Sequence, residues 1–147
     1  MVLQDSPAFY AYAAACVALS GNLIYLWAYS GIVRNELKST PNPEDVSPFG
    51  AKLSDTEPAA IARVLRAHAN AQAIILPFLV LGLVYVLMGG SQGAGIAYFS
   101  TFTVARWLHS WAYLGSRQPL RTLFFIIGAL PLLALLGHVV WLLLSSS

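Results

Sequence analysis

Arginine, asparagine, histidine and tyrosine recur in this chain at spacings of three and four, inside stretches that are otherwise apolar. In "RVLRAHANAQAIILPFLVLG", from Arg63 to Gly82, the residues Arg66, Asn70, Ala73 and Pro77 are spaced four, three and four, and Arg63 extends the same face. Further on, Arg106, Ser110, Tyr113 and Arg117 repeat that spacing, with His109 beside them. Asn22, Tyr25 and Tyr29 form a similar face ending near Arg34, and Arg121 and Thr122 open a last apolar stretch. Residues three and four apart share a helix face, so each set predicts a polar stripe. Converging stripes of this kind would build an anion-binding cleft. A guanidinium fork grips a carboxylate through two parallel bonds, and clustered cations lower the pKa of a bound thiol and favour its thiolate. Apolar walls beside the cleft would accept a lipid-like second substrate. His109 either lines this cleft or hydrogen-bonds internally. The blander alternative is that Arg106 bonds helix carbonyls while Arg63, Arg66 and Arg121 reach back to a membrane surface on their long stems.

The elements that must carry these stripes are membrane helices. Only 10% of the 147 residues are charged, too few to cover a soluble domain. Four apolar stretches reach the length of about 20 residues that a bilayer requires: about 8–33, 59–88, 96–115 and 123–144. One four-helix transmembrane domain is expected over 1–147, an all-α integral membrane bundle. The first stretch follows a single charge, Asp5, and has no basic leader, so it reads as a retained helix rather than a signal peptide. "GGSQGAG" (Gly89 to Gly95) predicts a short hairpin and "SRQP" (Ser116 to Pro119) another link; the link from Arg34 to Pro58 is long, polar and proline-rich. Arg34, Lys38, Lys52, Arg63, Arg66, Arg117 and Arg121 all lie in or beside the first and third links. Those links should face the cytoplasm, with both termini on the opposite side. The membrane expected is a bacterial inner membrane, given the short chain and the lack of an organelle signal.

Arg106 is the most informative of the polar residues. It falls near the middle of its stretch, where an arginine costs roughly 2.5–3.5 kcal/mol to insert, yet every acidic residue lies outside the four stretches. The lack of an embedded carboxylate also argues against a proton-coupled transporter. Cys16 is the one cysteine, so no disulfide framework or cysteine metal motif is possible. His68, His109 and His138 fall on three different stretches, which makes a metal site unexpected. A net charge of +2 gives no reason to expect nucleic acid as a partner.

"SGIVR" (Ser30 to Arg34), "NPED" (Asn42 to Asp45), "RVLRAHANAQAIILPFLVLG", "ARWLHSWAYLG" (Ala105 to Gly115) and "QPLRT" (Gln118 to Thr122) occur in an order and at spacings that resemble the MAPEG family. These are the membrane-associated proteins in eicosanoid and glutathione metabolism, and the nearest branch is that of microsomal prostaglandin E synthase. The resemblance covers nearly the whole chain. It implies a homotrimer of four-helix subunits with glutathione between neighbouring subunits near the cytoplasmic side, and no metal. Arg34, Arg66, His68, Asn70, Arg106 and Tyr113 match polar positions that line or support that site. Arg121 matches the arginine thought to stabilise the glutathione thiolate, Asp45 matches a loop aspartate proposed to assist, and Thr122 stands where the branch has a serine. Three side chains depart from the pattern: Ala73 replaces a glutamate, Phe125 a tyrosine and Ala69 an arginine. The third link is one residue shorter. The implied activity is glutathione-dependent transferase or peroxidase chemistry, or isomerisation, on a hydrophobic electrophile arriving from the lipid. The alternatives are a non-catalytic membrane scaffold binding a lipid or partner, and an enzyme using a different thiol.

Overall fold

The computed structural model describes residues 5–145. Helix α1 (Pro7–Leu37) is followed by a long link holding strand β1 (Ser39–Thr40), the single-turn helix α2 (Val46–Phe49) and strand β2 (Lys52–Leu53). Helices α3 (Ala59–Leu87), α4 (Gln92–Leu114) and α5 (Leu120–Ser145) complete the chain. The fold is thus helical apart from one two-residue parallel pairing in the link, Ser39 with Lys52 and Thr40 with Leu53.

The helix ends follow local chemistry. Ser6 caps α1, its hydroxyl accepting from the Phe9 amide, and Pro7 occupies the first turn, where its missing N–H is no loss. The helix runs beyond its apolar stretch through residues 34–37, where Arg34, Glu36 and Leu37 are good helix formers, until Lys38 takes a left-handed conformation and closes it. Gly89, at φ 72°, turns the chain between α3 and α4, a conformation open to glycine at little penalty.

Three helices, α1, α3 and α5, are long and apolar enough to cross a membrane. Helix α4 has the length, roughly 35 Å at 1.5 Å per residue, but falls below them in hydropathy. The reason is its buried polar residues, Arg106, His109 and Ser110. It packs against α5, α1 and α3, so those residues meet protein rather than lipid. The expected four spans are therefore three apolar helices and a more polar central one.

The core is shared by the four long helices, with Leu19 and Leu26 from α1, Ile75 and Phe78 from α3, Phe99 and Phe102 from α4 and Leu135 from α5. Phe78 and Phe102 stack with ring centroids 3.6 Å apart, and Phe99 meets Phe78 and Tyr12 edge-on. Close packing here requires Gly82. A Cβ at this position would stand 2.9 Å from the Phe99 ring and 3.1 Å from Tyr12. Gly82→Ala is expected to destabilise the bundle by about 1–3 kcal/mol, read as a lower midpoint of thermal unfolding in detergent; an unchanged midpoint would show that the rings yield freely.

At one end of the bundle, the Gln92 side chain accepts from the Ser6 hydroxyl at 2.8 Å and the Ala8 amide at 2.9 Å, tying α1 to α4. At the other end lie the starts of α3 and α5 and the ends of α1 and α4. All the stripe arginines except Arg106 gather there.

Candidate functional site

The starts of α3 and α5 and the end of α4 enclose a cavity of about 230 Å³ lined by Arg63, Arg66, Tyr113, Ser116, Arg117, Gln118 and Arg121. Arg63 and Arg66 come from the first two turns of α3, one helical turn apart. Tyr113, Arg117 and Arg121 are each four apart, carrying the stripe across the link from α4 to α5. The link is compact: Ser116 sits at φ 56°, and the Arg117 amide donates to the Ala112 carbonyl at 2.9 Å.

Aromatic rings hold two of the guanidiniums in place. Arg121 lies 4.8 Å above the Tyr113 ring and Arg117 lies 4.1 Å above Trp111. Such contacts are each worth about 0.5–1 kcal/mol at exposed sites. Four cations around a small cavity with no carboxylate in its lining repel one another, so an anion entering it relieves repulsion as well as gaining hydrogen bonds.

One turn deeper, His109 is buried, with its ring 5.6 Å from Tyr113 and 6.1 Å from Phe125. Below it, Arg106 is 1% exposed and donates through Nη2 to the Asn70 side-chain oxygen at 3.0 Å. Gly128 of α5 faces this side chain: a Cβ there would stand 3.5 Å from Arg106 Cδ, an ordinary van der Waals contact. On the α1 side, the Ser110 hydroxyl donates to the Asn22 side-chain oxygen at 3.1 Å. Asn70 and Arg106 therefore support the cavity from beneath, while Arg66, Tyr113 and Arg121 line it.

The remaining candidates lie elsewhere within one chain. Arg34 and Asp45 line a separate cavity of about 470 Å³ formed by the end of α1 and the link. Arg34 is paired with Glu57 at 2.5 Å. Asp45 accepts from the Thr40 hydroxyl at 3.1 Å and the Asn42 amide nitrogen at 3.0 Å. Thr122 is exposed and donates to Gln118 at 3.2 Å, next to the arginine cavity but outside its lining. His68 is two residues from Arg66, which turns it about 200° around α3, and it does not line that cavity. Ser116 and Gln118 join the lining without any signal in the sequence, because link residues have no periodicity to place them.

A third feature adjoins the cavity. Tyr25, Tyr29, Trp107, Ser110, Trp111, Leu114, Gly115 and Arg117 line a groove of about 360 Å³ between α1 and α4. Arg117 lines both spaces. A charged cavity and an aromatic groove thus share one side chain as their wall. Among the described residues, no three His, Cys, Asp or Glu side chains gather as a metal site would need.

A model of the MAPEG family matches residues 12–141. The chain is 31% identical to the prostaglandin E synthase of Homo sapiens over 141 residues, 95% of this chain and 93% of that one. It is 35% identical to the prostaglandin E synthase of Bos taurus over 140 residues, 94% and 89% of the two chains. It is 34% identical to microsomal glutathione S-transferase 1 of Homo sapiens over 131 residues, 86% and 84% of the two.

Proposed function

Because this chain belongs to the MAPEG family, we propose that it is a membrane-embedded enzyme that binds glutathione in its arginine-lined cavity and directs the thiolate at a lipophilic electrophile. The observation that carries this reading is the cavity itself: four arginines, two of them seated on aromatic rings, with no acid in the lining and an aromatic groove alongside.

Glutathione fits these residues unevenly, and the mismatch is informative. Its two carboxylates suit Arg63, Arg66 and Arg117, which offer forked donors at the cavity rim. Its thiolate suits Arg121, held over Tyr113 and pointing positive charge at the sulfur. Its ammonium group finds no carboxylate in the lining; Ser116, Gln118 and Tyr113 supply the acceptors there. The thiol proton leaves to solvent, and the sulfur lone pair is the nucleophile.

Two reactions suit this arrangement. In conjugation, an S–C bond forms at the electrophilic carbon, and the leaving group departs with its bonding pair. In hydroperoxide reduction, the sulfur attacks the terminal oxygen, the O–O bond breaks, and the alkoxide takes a proton to leave as an alcohol. The resulting sulfenic acid reacts with a second glutathione to give a disulfide and water. Either needs only a stabilised thiolate beside an apolar space, here the groove behind Arg117. Isomerisation is less favoured because Phe125 offers no hydroxyl beside His109 to steer it.

In the homotrimer that the family resemblance implies, Arg34 and Asp45 would approach this cavity from a neighbouring subunit, with Thr122 at its edge. The cavity end faces the cytoplasm on this reading, since the lysines and arginines outside α4 gather there. A second reading, a non-catalytic scaffold, is favoured by Ala73 and Phe125, where the family pattern has a carboxylate and a hydroxyl.

Calorimetry on the detergent-purified protein, with the ultraviolet thiolate band followed in parallel, separates the two. Saturable glutathione binding with growth of the band is expected. No binding at millimolar glutathione would favour the scaffold. Arg66→Ala should weaken binding by roughly 10- to 100-fold through loss of a charge-assisted bond, with kcat little changed. An equal loss in kcat would move Arg66 from carboxylate binding to the reacting atoms.

A further inference from the structure

Arg106 is buried more deeply than either reading requires. It is 1% exposed and donates only to Asn70; its Nε and Nη1 have no partner within the protein. On the same helix, Thr103 Oγ1 is also buried without a protein partner, while Asn22 Nδ2 is another such atom on the α1 side, beside Ser110. Thr103, Arg106 and Ser110 are spaced three and four, so they stand on one stripe of α4.

The chemistry of these atoms is one-sided. Nε and Nη1 are donors only, and the threonine hydroxyl is the one group able to accept. Water would bring two hydrogens of its own for each oxygen, and this layer has almost nothing left to receive them. The guanidinium also lacks a counter-charge. The acidic residues among those described, Asp5, Glu36, Glu44, Asp45, Asp55 and Glu57, sit at the bundle ends or in the link. A side chain this enclosed within one chain is out of reach of a neighbouring subunit's carboxylate. An unpaired buried cation is strongly unfavourable, and what completes the layer must be rich in lone pairs and negative.

We propose that the free donors of Arg106 hold a small monovalent anion, a halide or a single carboxylate group, inside the bundle between α3 and α5. This site lies beneath the glutathione cavity. His109 and Phe125, in ring contact, lie between the two in height. It is independent of whether glutathione binds above. The carboxylate could belong to a free ion or to the head of a lipophilic acid entering from the membrane, and the two sources are separable.

The test is bromide. Crystals of the wild-type protein grown or soaked in bromide are expected to show an anomalous peak within hydrogen-bond distance of Arg106 Nε or Nη1. In solution, replacing gluconate by bromide or formate at constant ionic strength should raise Tm saturably. The rise should be roughly 3–6 °C at ten times the dissociation constant, and absent in Arg106→Gln. If decanoate displaces the bromide, the natural occupant is a lipid-borne carboxylate; if only formate and chloride do, it is an inorganic or small free ion. A density without anomalous signal, or the same anion dependence of Tm in Arg106→Gln, overturns the proposal. So does displacement of bromide by glutathione, which would make Arg106 part of the thiol's own cleft. Should Arg106→Gln fail to fold, the anomalous map of the wild-type protein decides alone.

Discussion

Arg121→Ala is expected to lower kcat/KM by roughly 10²–10³-fold for an activated aryl halide and for a lipid hydroperoxide alike, the size of effect seen when one preorganised donor to a reacting anion is removed. Glutathione affinity should change far less, because Arg63, Arg66 and Arg117 remain in the cavity lining to hold its carboxylates. The ultraviolet thiolate band at saturating glutathione should fall in step with kcat. Arg121→Lys keeps the charge but loses the planar group that lies on Tyr113, so partial recovery is expected. Steady-state kinetics on wild type and both variants gives the answer. If kcat/KM is unchanged in Arg121→Ala, the thiolate is stabilised elsewhere, and the stacked geometry on Tyr113 has a structural purpose only.

Ala73→Glu is the second large expectation, and it is a gain. The cavity lining holds no carboxylate to meet the ammonium group of the proposed glutathione. Ala73 is exposed on α3, seven residues beyond Arg66, which keeps it on the same face two turns deeper. Ala73 lies one turn below Asn70, so a carboxylate there meets the ammonium group where glutathione extends past the cavity lining along the exposed face of α3. The gain should be roughly 10- to 100-fold in affinity, the range of one charge-assisted hydrogen bond. Calorimetry with glutathione and with an analogue lacking the amino group tests this directly. The analogue should gain nothing, or bind more weakly. If both ligands gain equally, the new charge acts on the arginine cluster as a whole. If neither does, the ammonium group lies elsewhere.

Much of this arrangement was legible in the sequence, and the pattern of what was not has a physical cause. Periodicity places a residue on a face of its own helix, and so Arg66, Tyr113 and Arg121 could be assigned to polar stripes that the structure brings to one cavity. Periodicity says nothing about which neighbouring element meets that face. His68 lies two positions from Arg66, and the same 3.6-residue geometry that groups Arg63, Arg66 and Asn70 turns it away. Arg34 and Asp45 are close to the stripe in sequence order but depend on the link, whose shape comes from the pairing of Ser39–Thr40 with Lys52–Leu53 and from the hydrogen bonds to Asp45. None of those contacts leaves a periodic trace. Hydropathy alone marks α1, α3 and α5 as long apolar helices; α4 is less apolar because a helix enclosed by three others can carry Arg106, His109 and Ser110 inward at reduced average hydropathy.

Arg117 forms a wall of both the charged cavity and the aromatic groove, and a shared wall makes two compartments thermodynamically dependent. An occupant that draws the guanidinium toward its carboxylate takes it from its position over Trp111, and so alters the space that a lipophilic molecule meets next door. Whatever factor the first ligand imposes on the affinity of the second, the second must impose on the first. The two substrates would then not bind as strangers: one arginine would make the occupancy of water-soluble thiol and membrane-borne electrophile a single coupled equilibrium.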